Sequence, residues 1–349
     1  MAYTNIDDPS AHFQTKLYTG TGNSLALTND GNSDLKPDFV WIKRRDGAYS
    51  HALFDSSRGS TERLVSNLTQ RDDTNAQYIT SFNTDGFTTG TDANINGNNL
   101  SYVAWQWKAN GGTTSTNTDG TITSTVQANT DAGFSIFTYT GTGAELPSIG
   151  HGLDAAADIY FQKNRSSSAS WAVLGKTVSA PSGGGNRYLL LNQTNAQGIS
   201  SQGPGNATTI QTWSDSTGNA SGDEYVVYAF TSKQGFSKIN YYTGNGNANG
   251  PFVYTGFKPA FLLVKKSSGT GNWILYDNKG ESGNLIGDLV YPNLANAEES
   301  NTNGYDFLSN GFKARNTYGD SNASGSTYIY MAFAENPLVT STGVPTTAR

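Results

Sequence analysis

Tyr18-Thr-Gly-Thr-Gly22 is followed, 25 residues after its tyrosine, by the end of Phe39-Val-Trp-Ile-Lys43, and this pair decides how the chain is read. It returns as Tyr139-Thr-Gly-Thr-Gly143 with Ile159-Tyr-Phe-Gln-Lys163, and as Tyr242-Thr-Gly-Asn-Gly246 with Phe261-Leu-Leu-Val-Lys265. The Tyr-to-Lys spacings there are 24 and 23. Eight residues past each lysine stand His51, Trp171 and Trp273. Leu-Val-Ser-Asn67, Leu-Leu-Leu-Asn192 and Val-Tyr-Pro-Asn293 come next, and aromatic stretches opening at Tyr102, Tyr225 and Tyr328 close each unit. Those closing tyrosines lie 84, 86 and 86 residues after the opening ones, so the chain is an internal threefold repeat.

Short apolar and aromatic runs lie between Gly, Asn, Ser and Thr turns, and long 3.6-residue stripes are missing. That pattern is all-β. Units of about 100 residues with six or seven short strands suit a lectin- or jelly-roll-like β-sandwich. In Phe39-Val-Trp-Ile-Lys43 both alternating sets are mostly apolar, as in a strand covered on two faces. Asn219-Ala-Ser-Gly222 and Asn322-Ala-Ser-Gly325 form the turn before the closing strand, and Asn99 takes the glycine's place in the first unit.

The expected division is an N-terminal docking arm (1–16), β-sandwich repeats at 17–110, 133–234 and 235–338, and a C-terminal tail (339–349). The Gly/Thr/Asn-rich stretch 111–132 between the first two repeats reads as a loop or extended linker. Ile6 and Phe13 are the arm's apolar anchors, expected either to dock on a partner or to cover the open end of the first sandwich.

Lys plus Arg is 22 against 28 Asp plus Glu, a net charge of −6, which argues against coating nucleic acid. Cysteine is absent, removing disulfides, thiolate catalysis and cysteine zinc sites. The start MAYTNIDDPS has no basic or apolar leader region, and no run is long enough to insert in a membrane. The expectation is either use inside the cell or exit by a route that needs no signal, of which a particle assembled in a host cytoplasm and released by lysis is one.

The wording of Gly250-Pro-Phe-Val-Tyr-Thr-Gly-Phe257, Asn272-Trp-Ile-Leu-Tyr-Asp277 and Asn322-Ala-Ser-Gly-Ser-Thr-Tyr-Ile-Tyr-Met-Ala-Phe-Ala-Glu335, with the opening Ile6-Asp-Asp-Pro-Ser-Ala-His-Phe-Gln-Thr15, resembles a tandem-repeat virion structural protein family of tailed bacteriophages from marine and cyanobacterial hosts. The resemblance implies a virion component whose partners are other virion proteins. It supplies no catalytic residues.

Candidate chemistry is sparse. His12, His51 and His151 are too dispersed for a metal site, and His51 occupies the slot of Trp171 and Trp273, which reads as packing. The seven glutamates offer no Glu-x-Asp-x-x-Glu strand, and the pairs Asp223-Glu224 and Glu298-Glu299 point to opposite faces if extended. No Gly-x-Ser-x-Gly elbow occurs, and the Tyr-Thr-Gly-x-Gly turns do not open a phosphate-binding helix. Lys43-Arg44-Arg45 reads equally as a solvated strand end or an acidic partner's contact. Trp213 and Tyr318, in loops that differ among units, are the candidates for stacking on a glycan, with local packing as the competing reading.

The sequence therefore leads to a non-enzymatic virion surface protein without cofactor or metal, first as a tail fibre or tail-associated adhesin contacting host surface glycans. The alternatives are a capsid decoration protein and a cell-surface glycan hydrolase; a homo-oligomer is expected.

Overall fold

The computed structural model describes residues 2–346 apart from 184, 282 and 284. The protein is all-β, built of several antiparallel sheets. One strand order recurs. The opening strand pairs with the closing strand, then the lysine-bearing strand, then the strand that follows or begins at the His/Trp position. In the first unit these are Phe13–Thr19, Ser101–Trp107, Phe39–Arg44 and Ala52–Asp55. In the second they are Phe134–Thr140, Glu224–Phe230, Ile159–Asn164 and Ala172–Leu174, and in the third Ser237–Thr243, Thr327–Pro337, Phe257–Lys266 and Trp273–Asp277.

The repeated tyrosines explain why the pairing has this register. Tyr18 lies opposite Tyr102, Tyr139 opposite Tyr225 and Tyr242 opposite Tyr328, with rings stacked at 5.1, 5.0 and 5.2 Å. Their buried hydroxyls need partners. Each opening tyrosine donates to a carbonyl of the turn before the closing strand: Ile95, Gly218 or Ser321. Each closing tyrosine accepts an N–H from that turn: Gly97, Ala220 or Ala323.

The glycines of the Tyr-Thr-Gly-x-Gly motif have separate reasons. A Cβ on Gly20, Gly141 or Gly244 would sit 2.3, 2.2 or 2.5 Å from a backbone oxygen of the facing turn. Gly22, Gly143 and Gly246 take φ of +68°, +73° and +67°, the left-handed region that glycine enters without a Cβ clash. Asn99 does the same with φ of 58°.

Alternation along the lysine-bearing strand separates two interiors. Val40 and Ile42 face a cluster internal to the first unit, with Tyr18, Phe54, Phe87 and Tyr102. Phe39 and Trp41 face a cluster drawn from all three units, including Phe161, Trp171, Phe230, Phe261, Trp273 and Phe333. Phe333 stands 5.9 Å from Phe230 and 5.6 Å from Trp107, so closing strands from three units meet. The units are thus not beads with separate cores. A sheet apolar on both faces cannot leave one in water, and the shared interior covers the second.

Two expectations change accordingly. The segment 111–132 is no extended linker: Ser115–Asn117 and Ser124–Asn129 are strands, and the latter adds to the edge of Phe134–Thr140. Its small polar residues hid a pairing that also places Gln127 Nε2 2.8 and 2.6 Å from the hydroxyls of Ser56 and Ser57. The docking reading of Ile6 and Phe13 also fails on burial, since they are 5% and 3% exposed within the chain's own interior. Phe13 lies in the opening strand and packs on Trp107, Phe333 and Phe261 at 5.0, 5.1 and 5.7 Å. The arm therefore joins the first unit to the third. Asp7 extends the join by accepting from Ser341 N–H and hydroxyl in the tail.

Candidate functional site

The units meet along three seams, and one set of contacts is passed round them. Trp171 donates its indole N–H to Val65 O at 2.8 Å, and Trp273 to Leu190 O at 2.9 Å. His51 takes the same place on the third seam, 3.0 Å from Tyr291 O through Nε2. The three acceptors each lie two residues before the repeated asparagine. That asparagine holds the backbone of its own unit's aromatic: Asn67, Asn192 and Asn293 accept from the N–H of His51, Trp171 and Trp273. Trp41 donates its indole N–H to His51 Nδ1 at 2.9 Å. An indole nitrogen can only donate, so Nδ1 is bare and Nε2 carries the hydrogen. Burial, with Lys43 nearby, pushes the His51 pKa well below the ordinary value. His51 is thus a neutral donor doing an indole's task.

The repeated lysines form a second set. Lys43, Lys163 and Lys265 are fully buried, contrary to a solvated strand end or a partner contact. Lys163 donates to Thr69 O at 3.2 Å and Asn164 O at 2.8 Å; Lys265 donates to Thr194 O at 3.0 Å and Gly271 O at 2.8 Å. Lys43 donates to Arg44 O at 2.6 Å and Gly47 O at 3.3 Å, and reaches Ala295 O at 3.5 Å. Thr69, Thr194 and Ala295 each follow the repeated asparagine by two, on the neighbouring unit. Burial lowers all three lysine pKa values to about 8. Their ammonium groups cap carbonyls across the seams.

Three carboxylates at the seams are tied to arginines. Arg45 grips Glu298 with two bonds of 2.7 and 2.6 Å, and Arg165 binds Asp72 at 2.7 Å. Arg58, its side chain closed off from solvent, binds Asp55 at 2.5 Å, and Tyr228 donates to the same carboxylate at 2.6 Å. Trp105 donates to Asp277 at 3.1 Å in the corresponding place. The third seam has Met331 and Gly175 there, so both polar partners are replaced together. Glu298 meets Arg45, whereas Glu299 accepts from Tyr291 OH at 3.0 Å. No group of three or more His, Asp or Glu able to hold a metal occurs among the described residues.

Trp213 and Tyr318 are half-buried and packed against the interiors of the second and third units. Trp213 meets Tyr188 edge-on at 5.2 Å, and Tyr318 bonds Asp320 through its hydroxyl at 3.2 Å. The structure gives them local packing partners and does not bring them together.

A more open aromatic pair lies elsewhere, on the short strand Phe252–Tyr254. Phe252 and Tyr254 are 47% and 54% exposed, while Val253 between them packs inward. Period-two alternation puts both rings on one outer face. Phe252 pairs with Lys313, and Tyr254 with Gly311. The arm supplies a third ring. Tyr3 donates to Gly256 O at 2.7 Å and spends its only hydrogen there, so Tyr254 donates to Tyr3 across 3.2 Å. Gly256 has φ of +87°, and a Cβ there would stand 2.6 Å from the Tyr3 hydroxyl. Two exposed rings beside a cationic side chain can stack on the C–H face of a sugar and bond its hydroxyls. Phe252-Val-Tyr254 is an unbroken apolar run that reads as a strand covered on both faces, so nothing in the sequence signalled its exposure.

No curated protein and no solved structure matches the chain. One family does, over residues 8–337, which takes in all three repeat units. The chain belongs to the family described as Domain of unknown function (DUF7483).

Proposed function

We propose that this chain is a non-enzymatic virion surface protein, a tail fibre or tail-associated adhesin, whose three β-sandwich units present a glycan-contacting surface. The observation that carries the reading is the outward pair Phe252 and Tyr254, exposed in a protein whose other aromatics are mostly buried. The resemblance of the repeat to virion structural proteins supports the setting. The arginine-bound seam carboxylates support binding over hydrolysis, because a glycosidase needs two carboxyl groups free to act on one bond.

The test is retention of the full chain on arrayed bacterial surface polysaccharides. Phe252→Ala/Tyr254→Ala should lose at least about tenfold in affinity, some 1.4 kcal/mol, with unchanged thermal unfolding. Equal retention by the double variant would refute the aromatic surface.

A capsid decoration role is the second reading. The shared interior of the three units favours it, since a single block suits mechanical reinforcement. Antibody labelling of particles under the electron microscope separates head from tail.

A further inference from the structure

Each opening strand has one edge turned away from its closing strand. In the second unit Ser124–Asn129 covers that edge, with Gln127 opposite Ile136 and Thr125 opposite Thr138. In the first and third units the opening strand ends its sheet, and in the third only Ser237 meets a partner on that side, through an antiparallel bridge to Lys233. Counting back from the repeated tyrosines, Ile239 stands where Ile136 stands, and Tyr241 where Thr138 stands.

At the third unit's edge, side chains occupy the places that a strand fills in the second. Ile239 N–H donates to Ser232 Oγ at 2.9 Å, and Ile239 O receives only long contacts of 3.4 and 3.5 Å from Thr177 and Ser232 hydroxyls. Tyr241 N–H bonds the side chain of its own neighbour Asn240 at 2.9 Å. Beside this edge lies a cleft of about 460 Å³ lined by Lys176, Lys233, Lys238, Thr177 and Ser232. Lys176 and Lys233 are paired with Asp158 and Asp154 at 3.1 and 3.0 Å, whereas Lys238 has no ion pair among the described residues. The equivalent cleft beside Phe13–Thr19 is smaller, about 180 Å³, and its charged lining is Asp8, Asp30, Glu335 and Lys279, the last paired with Asp30.

We propose that the edge from Ile239 to Thr243, beyond the Lys233 bridge, accepts an extended acidic peptide segment of a partner protein as an added strand. The chain itself displays the geometry, because its own segment makes that addition on the second unit. Main-chain bonds from the added strand replace the Ser232, Thr177 and Asn240 side chains, and lysines select acidic residues on it.

The probe is a fluorescently labelled heptapeptide alternating glutamate with valine and threonine, titrated into the full chain and read by anisotropy. A counterpart with lysine for glutamate should bind at least about tenfold more weakly. Tyr241→Pro removes an outward N–H and leaves the bonds to the closing strand intact, since proline is tolerated on an edge. It should lose at least about tenfold in affinity, while Tyr241→Thr binds as the wild type does. Should the proline variant not fold, hydrogen exchange in the wild type decides: peptide binding should slow the amides of 239–243. Unchanged exchange there, equal binding by a folded Tyr241→Pro variant, or no binding of the acidic peptide would overturn the proposal. Wild-type dimers abolished by Tyr241→Pro and dissolved by the peptide would overturn the partner assignment and give the edge to a second copy.

Discussion

His51 and Tyr291, 240 residues apart, are joined by an imidazole N–H donated to a carbonyl 3.0 Å away. Trp171 and Trp273 make the same bond to Val65 and Leu190. Imidazole is smaller than indole, and Trp41 occupies the added space: Phe161 and Leu263 stand at the corresponding strand positions. Trp41 and His51 are therefore one substitution made in two places.

A double-mutant cycle tests this coupling. Trp41→Phe leaves Nδ1 of His51 unpaired, and His51→Trp overfills the site and orphans the Trp41 N–H; each should cost about 1–3 kcal/mol. Together they recreate the Phe161/Trp171 pair, so the double variant should be more stable than the sum by about 1 kcal/mol or more. Urea unfolding that is additive within about 0.5 kcal/mol would refute the coupling.

Stability should rise with pH above about 8. The folded pKa values of Lys43, Lys163 and Lys265 lie near 8, below the ordinary 10.5, because burial disfavours their charge. Between those values the unfolded chain binds more protons, so deprotonation favours the folded state, and the gain is lost as pH falls towards 8. Buried Tyr139, Tyr242 and Tyr276 oppose this above pH 10, since burial raises their pKa values and the unfolded chain ionises first. Denaturant midpoints should therefore increase from pH 8 to a maximum near 10 and then decline. Replacing one of the lysines by methionine should flatten the rise and, by orphaning its carbonyls, cost about 1–3 kcal/mol at pH 7.

The buried Arg58 should tolerate no truncation. It lies between Asp55 and Tyr228, with both charged side chains inaccessible to solvent. Arg58→Met leaves Asp55 charged and held by one hydroxyl and two backbone N–H groups, at a cost of about 3–5 kcal/mol. Thermal unfolding of the purified variant measures this, and a shift too small for 1 kcal/mol would show the pair to be dispensable.

The arm should behave as core. Ile6→Ala should cost about 2–5 kcal/mol, in the range for a buried isoleucine. A detachable docking arm would leave thermal unfolding unchanged, so the isolated protein's melting curve discriminates between the two.

Much of this protein was determined by residues acting on their own neighbourhood. Strand alternation and the left-handed Asn99 follow from backbone sterics and local period, and these are legible in the order of amino acids. The repeat also pointed to corresponding places for Lys43, Lys163 and Lys265. Their burial was not legible, because a lysine at a strand end is ordinarily solvated and only the neighbouring unit's carbonyls make its burial tolerable. The same holds for Ile6 and Phe13, for Phe252 and Tyr254, and for the strand hidden in 111–132. Tertiary structure decided which apolar faces were covered, which protonation state His51 takes, and which sheet edge stayed open. Most of those outcomes rest on meetings between segments about 60 to 330 residues apart, and no local periodicity records who meets whom.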